Sequence, residues 1–208
     1  MSADDSALID KARAGDREAF GALVRRYSRR VYATAFHMTG QHSDADDVAQ
    51  VTFVRAYRGL ASFDGRCDFY TWLHRIGVNV ALNHLRSRRR GPVLLSSAAT
   101  EANEPVAPAD TATDPRVAAE SRETVSAVIR ALAELSPSLR VTLILATVED
   151  MPYKQIAQVL DCPEGTVAWR VNQARKLMRQ RLAGLVPGAK EGSVDAVLRR
   201  TKEALGLP

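Results

Sequence analysis

The chain has 208 residues, 46% hydrophobic and 25% charged, which is enough apolar material for one or two packed domains and excludes a disordered chain. No apolar run approaches the roughly 20 residues that span a bilayer, and the acidic start MSADDSALID lacks the basic-then-apolar pattern of a secretory signal, so a cytoplasmic protein without membrane insertion is expected. The net charge of +5 is compatible with a polyanion partner, and its placement along the chain matters more than its size.

The first block, to about Arg90, reads as helices. Phe20, Leu23, Val24, Tyr27, Val31 and Ala35 keep the three-and-four spacing of a buried face, and Gly40 stands where a left-handed glycine stops a helix. Ser43 is expected to cap the next helix, with Asp46 as its capping-box acid and Val48, Val51, Phe53, Ala56, Tyr57 and Leu60 as its apolar surface. After the loop SFDGRCDFY, a helix from about Thr71 carries two stripes. Phe69, Leu73, Ile76 and Val80 are apolar, whereas Trp72, Arg75, Asn79, Asn83, Arg86 and Arg90 combine an aromatic, two carboxamides and three guanidiniums, groups that stack bases, bond base edges and hold phosphates. Taken alone, that second stripe also fits a core tryptophan beside solvated arginines.

Gly91-Pro92 ends the block, and residues 92–115, rich in Ala, Ser, Thr, Pro and Glu, have the composition of a flexible linker. Charge reverses here. Arg66 to Arg90 holds six arginines against Asp68, Glu101 to Glu123 holds six acids against Arg116 and Arg122, and Lys154 to Arg181 holds six Lys/Arg against Asp161 and Glu164.

The second block, 116–183, is again helical, with Val125, Val128, Ile129 and Leu132, then Leu139, Leu143 and Leu145 after a Ser136-Pro137 start. Residues 153–182 have the layout of a helix-turn-helix: YKQIAQVL, the joint Asp161-Cys162-Pro163, then EGTVAWRVNQARKLMRQRL. Ile156, Ala157, Val159 and Leu160 are placed to pack on Val167 and Val171, Pro163 fits a first helical position, and Asp161 falls where a left-handed backbone is needed. A helix offered to the major groove puts Trp169, Asn172 and Gln173 near bases or sugars and Arg170, Arg175, Lys176 and Arg179 near phosphates. Trp169 has a second reading as an anchor folded onto the neighbouring helix. The tail from 184 ends in a short helix from Ser193 with Val194, Val197, Leu198, Thr201 and Leu205 on one side.

The fold class read from these patterns is all-α: two small helical domains, 1–91 and 116–183, joined by a flexible acidic linker, the second containing the helix-turn-helix, with a C-terminal extension 184–208. Cys67 and Cys162 have no His or second Cys at ligand spacing, so no metal is expected; Cys162 reads as a small buried residue, and Cys67 as an exposed loop thiol open to a redox role. His37, His42, His74 and His84 read as helix-surface or capping residues. With no Gly-rich phosphate loop and no nucleophile motif, neither catalysis nor a cofactor is expected.

DADDVAQVTFVRAYRGL, then FDGRCDFYTWLHRIGVNVALNHLRSRRR, and after the linker LSPSLRVTLILATVEDMPYKQIAQVLDCPEGTVAWRVNQARKLMRQRL, resemble the two conserved domains of bacterial sigma-70 family factors of the extracytoplasmic function (ECF) group. The resemblance implies docking on core RNA polymerase through Asp44, Asp46, Asp47, Gln50, Phe53 and Arg55. It implies reading and melting of the minus-ten promoter element by Phe63, Asp64, Phe69, Trp72, Arg75, Asn79, Asn83 and Arg86. The minus-thirty-five element falls to Thr166, Ala168, Trp169, Arg170, Asn172, Gln173, Arg175 and Lys176, although the family usually has a small polar residue where Trp169 stands. An anti-sigma factor is the implied inhibitor, the helix from Ser193 to Leu205 is expected to dock on the second domain or on that inhibitor, and the linker is implied to thread toward the RNA exit path. The competing reading is an autonomous helix-turn-helix regulator that binds duplex DNA without polymerase, which leaves the first block unused. A helical adaptor with no nucleic-acid role leaves the two basic clusters unexplained.

Overall fold

Asp16 begins the longest helix: its Oδ1 accepts the backbone N–H groups of Glu18 and Ala19 at 2.9 and 3.1 Å, satisfying two donors that a helix start leaves without partners. Removing that cap as Asp16→Ala is expected to cost about 1 kcal/mol in urea unfolding, and Asp16→Ser to recover most of it. At the other end Gly40 has φ 77 and its N–H bonds Phe36 O, the stop that the glycine's position announces.

The computed structural model describes residues 3–90, 115–183 and 193–204. Among them are nine α-helices and no strand: α1 Ala3–Arg13, α2 Arg17–Thr39, α3 His42–Gly59, α4 Phe69–Arg90, α5 Pro115–Ala133, α6 Pro137–Thr147, α7 Tyr153–Leu160, α8 Glu164–Leu182 and α9 Ser193–Ala204, with a single 3-10 turn at Leu60–Ser62 after α3. The proposed linker falls, apart from Pro115, outside the described residues, as do 184–192 and Leu205.

In the first block α2 lies against α1, α3 and α4 through Leu23, Tyr27, Val31 and Phe36. Tyr27 donates to the buried Asp5 carboxylate at 2.7 Å and Arg26 pairs with the same group, which fastens α1 down. Burial first, and Asp5 second, hold the Tyr27 hydroxyl far above its ordinary pKa, so it stays a donor. In the second block α6 and α7 pack on α8, whose Val167, Val171, Ala174 and Met178 are fully buried.

α9 docks on α5, α6 and α8, burying Val194, Val197, Leu198 and Thr201, and Asp195 accepts both nitrogens of a bidentate Arg175 fork at 3.0 and 2.6 Å. The two blocks also share one continuous apolar core, in which Phe36, Met38 and Val78 meet Ile129, Leu143 and Leu145.

Three expectations need correction. α3 starts at His42 after an extended Gln41, so Ser43 lies inside the first turn and caps nothing; the His42 ring, 4.5 Å from Phe36 and bonded to the Tyr32 hydroxyl, fixes the earlier start. Pro163 occupies the capping position before Glu164, with ψ 147 and not a helical value. His37 and His74 are buried, not surface residues: His37 Nδ1 bonds Ala33 O at 2.8 Å, and His74 lies between α2 and the second block.

Candidate functional site

Three outward faces, on α3, α4 and α8, carry the candidate residues. On α3, Asp46, Asp47, Gln50 and Arg55 are exposed, and Phe53 is half-buried against the first block's core. Asp44 is largely engaged within the chain, paired with Arg88 and 3.3 Å from His84 Nε2. The sequence reading placed Val51 and Tyr57 among the apolar surface of α3 and passed over Val54, yet these three are 40%, 43% and 50% exposed. Positions 47, 50, 51, 54 and 58 lie on one side of a helix, so the solvent sees a small apolar patch edged by Asp47, Gln50 and Arg58, the anatomy of a protein-docking surface. The available signal was width: apolar residues ran around more of α3 than a single buried stripe needs.

The loop after α3 turns on Asp64, whose Oδ1 accepts the Arg66 N–H at 3.1 Å, and on Gly65 with φ 74. Phe63 and Phe69 are buried, which corrects the reading of both as DNA contacts: their rings pack on each other at 5.7 Å and on Trp72 at 5.2 and 5.5 Å. They offer no free face to a base and serve as the bed on which the half-buried Trp72 rests. Beyond Trp72, Arg75, Asn79, Asn83 and Arg86 are all exposed along one line of α4, and Arg86 Nη1 reaches Asn83 Oδ1 at 3.5 Å. Burial, then Asp64 and Asp68, push the half-buried Cys67 thiol up against the opposing charge of Arg75, the reverse of what a redox-active thiolate requires.

The turn between α7 and α8 takes its left-handed residue at Asp161, φ 50 and ψ 56, with the Cys162 N–H on Ala157 O at 3.1 Å. Ile156 and Val159 are buried and Ala157 and Leu160 half-buried, so the apolar side of α8 is held inward. Trp169 is 63% exposed, which removes its reading as an anchor; with exposed Asn172 and Lys176 it forms the outermost line of α8. Thr166, Ala168, Arg170 and Gln173 are half-buried beside that line, and Arg170 leans toward Cys162 Sγ at 3.7 Å. Arg175 is the member of the set committed elsewhere, through Asp195. Among the described residues no group of His, Cys, Asp and Glu could hold a metal, and no helix is long and apolar enough to cross a membrane.

The Sigma-70 region 2 family profile matches residues 23–91, and the Sigma-70 region 4 profile matches 126–178. The chain is 33% identical over 187 residues to the ECF RNA polymerase sigma-E factor of Haemophilus influenzae, covering 88% of this chain and 97% of that one. It is 35% identical over 184 residues to the factor of the same name from Escherichia coli strain K12, covering 88% and 96%. Among solved structures, CnrH in complex with the cytosolic domain of CnrY superposes with a TM-score of 0.61 at 27% identity, over 87% of this chain and 98% of that one. RpoE of Bartonella quintana, solved with the anti-sigma factor NepR, superposes with a TM-score of 0.60 at 24% identity, over 79% and 96%, and shares the fold. With both sigma regions matched in order and relatives aligned over nearly their whole length, the chain belongs to the sigma-70 family of RNA polymerase sigma factors, in its ECF group.

Proposed function

We propose that the three outward faces divide the work of promoter recognition. α3 docks on core RNA polymerase through Asp46, Asp47, Gln50 and Arg55 around the Val51, Val54 and Tyr57 patch. The line Trp72, Arg75, Asn79, Asn83 and Arg86 takes the melted minus-ten strand: the indole stacks an unpaired base, the carboxamides bond base edges, and the arginines hold phosphates. α8 enters the major groove at the minus-thirty-five element with Trp169, Asn172 and Lys176 foremost, Thr166, Ala168, Arg170 and Gln173 at its flank. Phosphodiester chemistry belongs to the polymerase, so the chain needs no cofactor and is no enzyme itself, and its work lies in the cytoplasm with the polymerase.

The observation that carries this reading is the outward line of Arg75, Asn79, Asn83 and Arg86 on a helix whose other side is core. An autonomous duplex reader has no use for it. In gel shifts, promoter binding is expected only with core polymerase present; tight sequence-selective binding by the protein alone would favour the autonomous regulator. Asn83→Ala is expected to slow strand opening roughly tenfold, the weight of one base contact, with polymerase affinity unchanged; permanganate reactivity of unpaired thymines reads the opening. Loss of polymerase binding instead would make Asn83 structural. As RpoE of Bartonella quintana was solved with the anti-sigma factor NepR, the chain is assigned a partner of the anti-sigma kind that covers the docking faces.

A further inference from the structure

Not all of the positive charge on α8 is open to a phosphate. At about 100° per residue, with Trp169 outermost, Arg170 falls on one flank of α8 and Arg175 and Arg179 fall on the other. A helix laid in the major groove meets the two phosphate walls along those flanks. Arg175, however, is already paired: its Nε and Nη2 donate to Oδ1 and Oδ2 of Asp195 at 3.0 and 2.6 Å, the forked geometry with which a guanidinium also grips a phosphate. Tyr153, the first residue of α7, bonds the same side chain. The Asp195 hydrogen bonds, opposed by burial, hold the guanidinium above its ordinary pKa. Asp195 itself stands in the first turn of α9, where the positive end of the helix favours a carboxylate. α9 has anchors besides this pair: Val194, Val197, Leu198 and Thr201 are buried against the second block, and Arg199 donates to Asp150 at 3.1 Å.

We propose that Asp195 stands in for a DNA phosphate on Arg175, so that α9 sets the affinity of this sigma factor for the upstream promoter element. This rests on the assignment of α8 as the minus-thirty-five reader. The side chains of Arg175 and Asp195 are 31% and 29% exposed, which places the pair at the rim of the block, within reach of a duplex seated on α8. Carboxylate and phosphate then compete for one fork. The carboxylate keeps it because α9 is seated by its apolar face whether or not DNA is present. Exchange would leave the Asp195 charge unpaired beside a wall of phosphates, where like charges repel. Asp195 therefore acts twice, withdrawing one cation from the DNA face and setting one anion beside it. Phosphate contacts position a protein on DNA without reading its sequence, whereas base contacts read it. With Arg175 withheld, the hold of α8 on the upstream element leans on Trp169, Asn172 and Gln173, and binding to duplex of any other sequence is kept weak.

The test uses holoenzyme reconstituted from core polymerase and the full-length protein. The DNA is a promoter selected by the wild type from a randomised library, and the same promoter cut so that the duplex ends before the upstream element. Affinity is measured over a series of salt concentrations. Asp195→Ala is expected to bind the full promoter about fivefold tighter at low salt, with log affinity falling more steeply against log salt by about 0.9, the weight of one added phosphate contact. On the cut promoter it is expected to match the wild type. Asp195→Asn, which removes the charge and keeps the shape, is expected to move both readings the same way, and guards against an alanine variant that unseats α9. Adding Arg175→Gln to Asp195→Ala is expected to cancel the added slope. An unchanged slope in both folded variants, weaker binding by both, or a gain that persists without Arg175 or on the cut promoter each overturns the proposal. A wild-type holoenzyme that binds the two promoters alike overturns the reading of α8 and the proposal with it, a result visible before any substitution is made.

Discussion

Aspartates placed at both Val51 and Val54 are expected to weaken binding to core RNA polymerase at least ~100-fold, close to 2.8 kcal/mol, with little change in the stability of the protein itself. Both side chains are already in water, at 40% and 50% exposure, so the folded chain loses little when they become polar. The bound state must bury two carboxylates in a patch that otherwise buries two isopropyl groups, and desolvating charge without a partner is among the largest penalties an interface can incur. Titration calorimetry against core polymerase reads the first effect and urea unfolding the second. Unaltered binding would move the docking surface off α3; a large loss of stability would mean that Val51 and Val54 support the fold.

Trp169→Ala is expected to reduce transcription from promoters with an intact upstream element roughly tenfold, about 1.4 kcal/mol, and to leave promoters that lack the element unaffected. The indole is 63% exposed on the outermost line of α8, while the inward line of Val167, Val171, Ala174 and Met178 holds the helix without it. Its truncation therefore falls on recognition. A variant that unfolds in circular dichroism, or one equally impaired on both promoter types, would return Trp169 to a structural role.

The helix-turn-helix was legible because each of its parts is local. Periodicity places Val167 and Val171 inward, and Asp161 marks the turn because the backbone there must be left-handed, a demand that Asp meets at modest cost. Gly40 was readable on the same ground. Phe63 and Phe69 entered the minus-ten set through the family resemblance, although helical spacing had already put Phe69 on the apolar stripe, and the fold packs the two rings on each other beneath Trp72. Ser43 satisfied a capping pattern, but the contact of His42 with Phe36 on another helix decided where α3 begins. How the two blocks pack was not legible, because buried Glu149 of the second meets Arg30, Thr34 and Tyr70 of the first, more than 75 residues away.

The most direct measurement of the central claim is transcription by purified bacterial core polymerase from a randomised promoter library, with and without this protein. Transcripts that appear only with the protein, from templates enriched in two elements at fixed spacing, are the predicted result. An unchanged transcript pool, together with selective duplex binding by the protein alone, would contradict it.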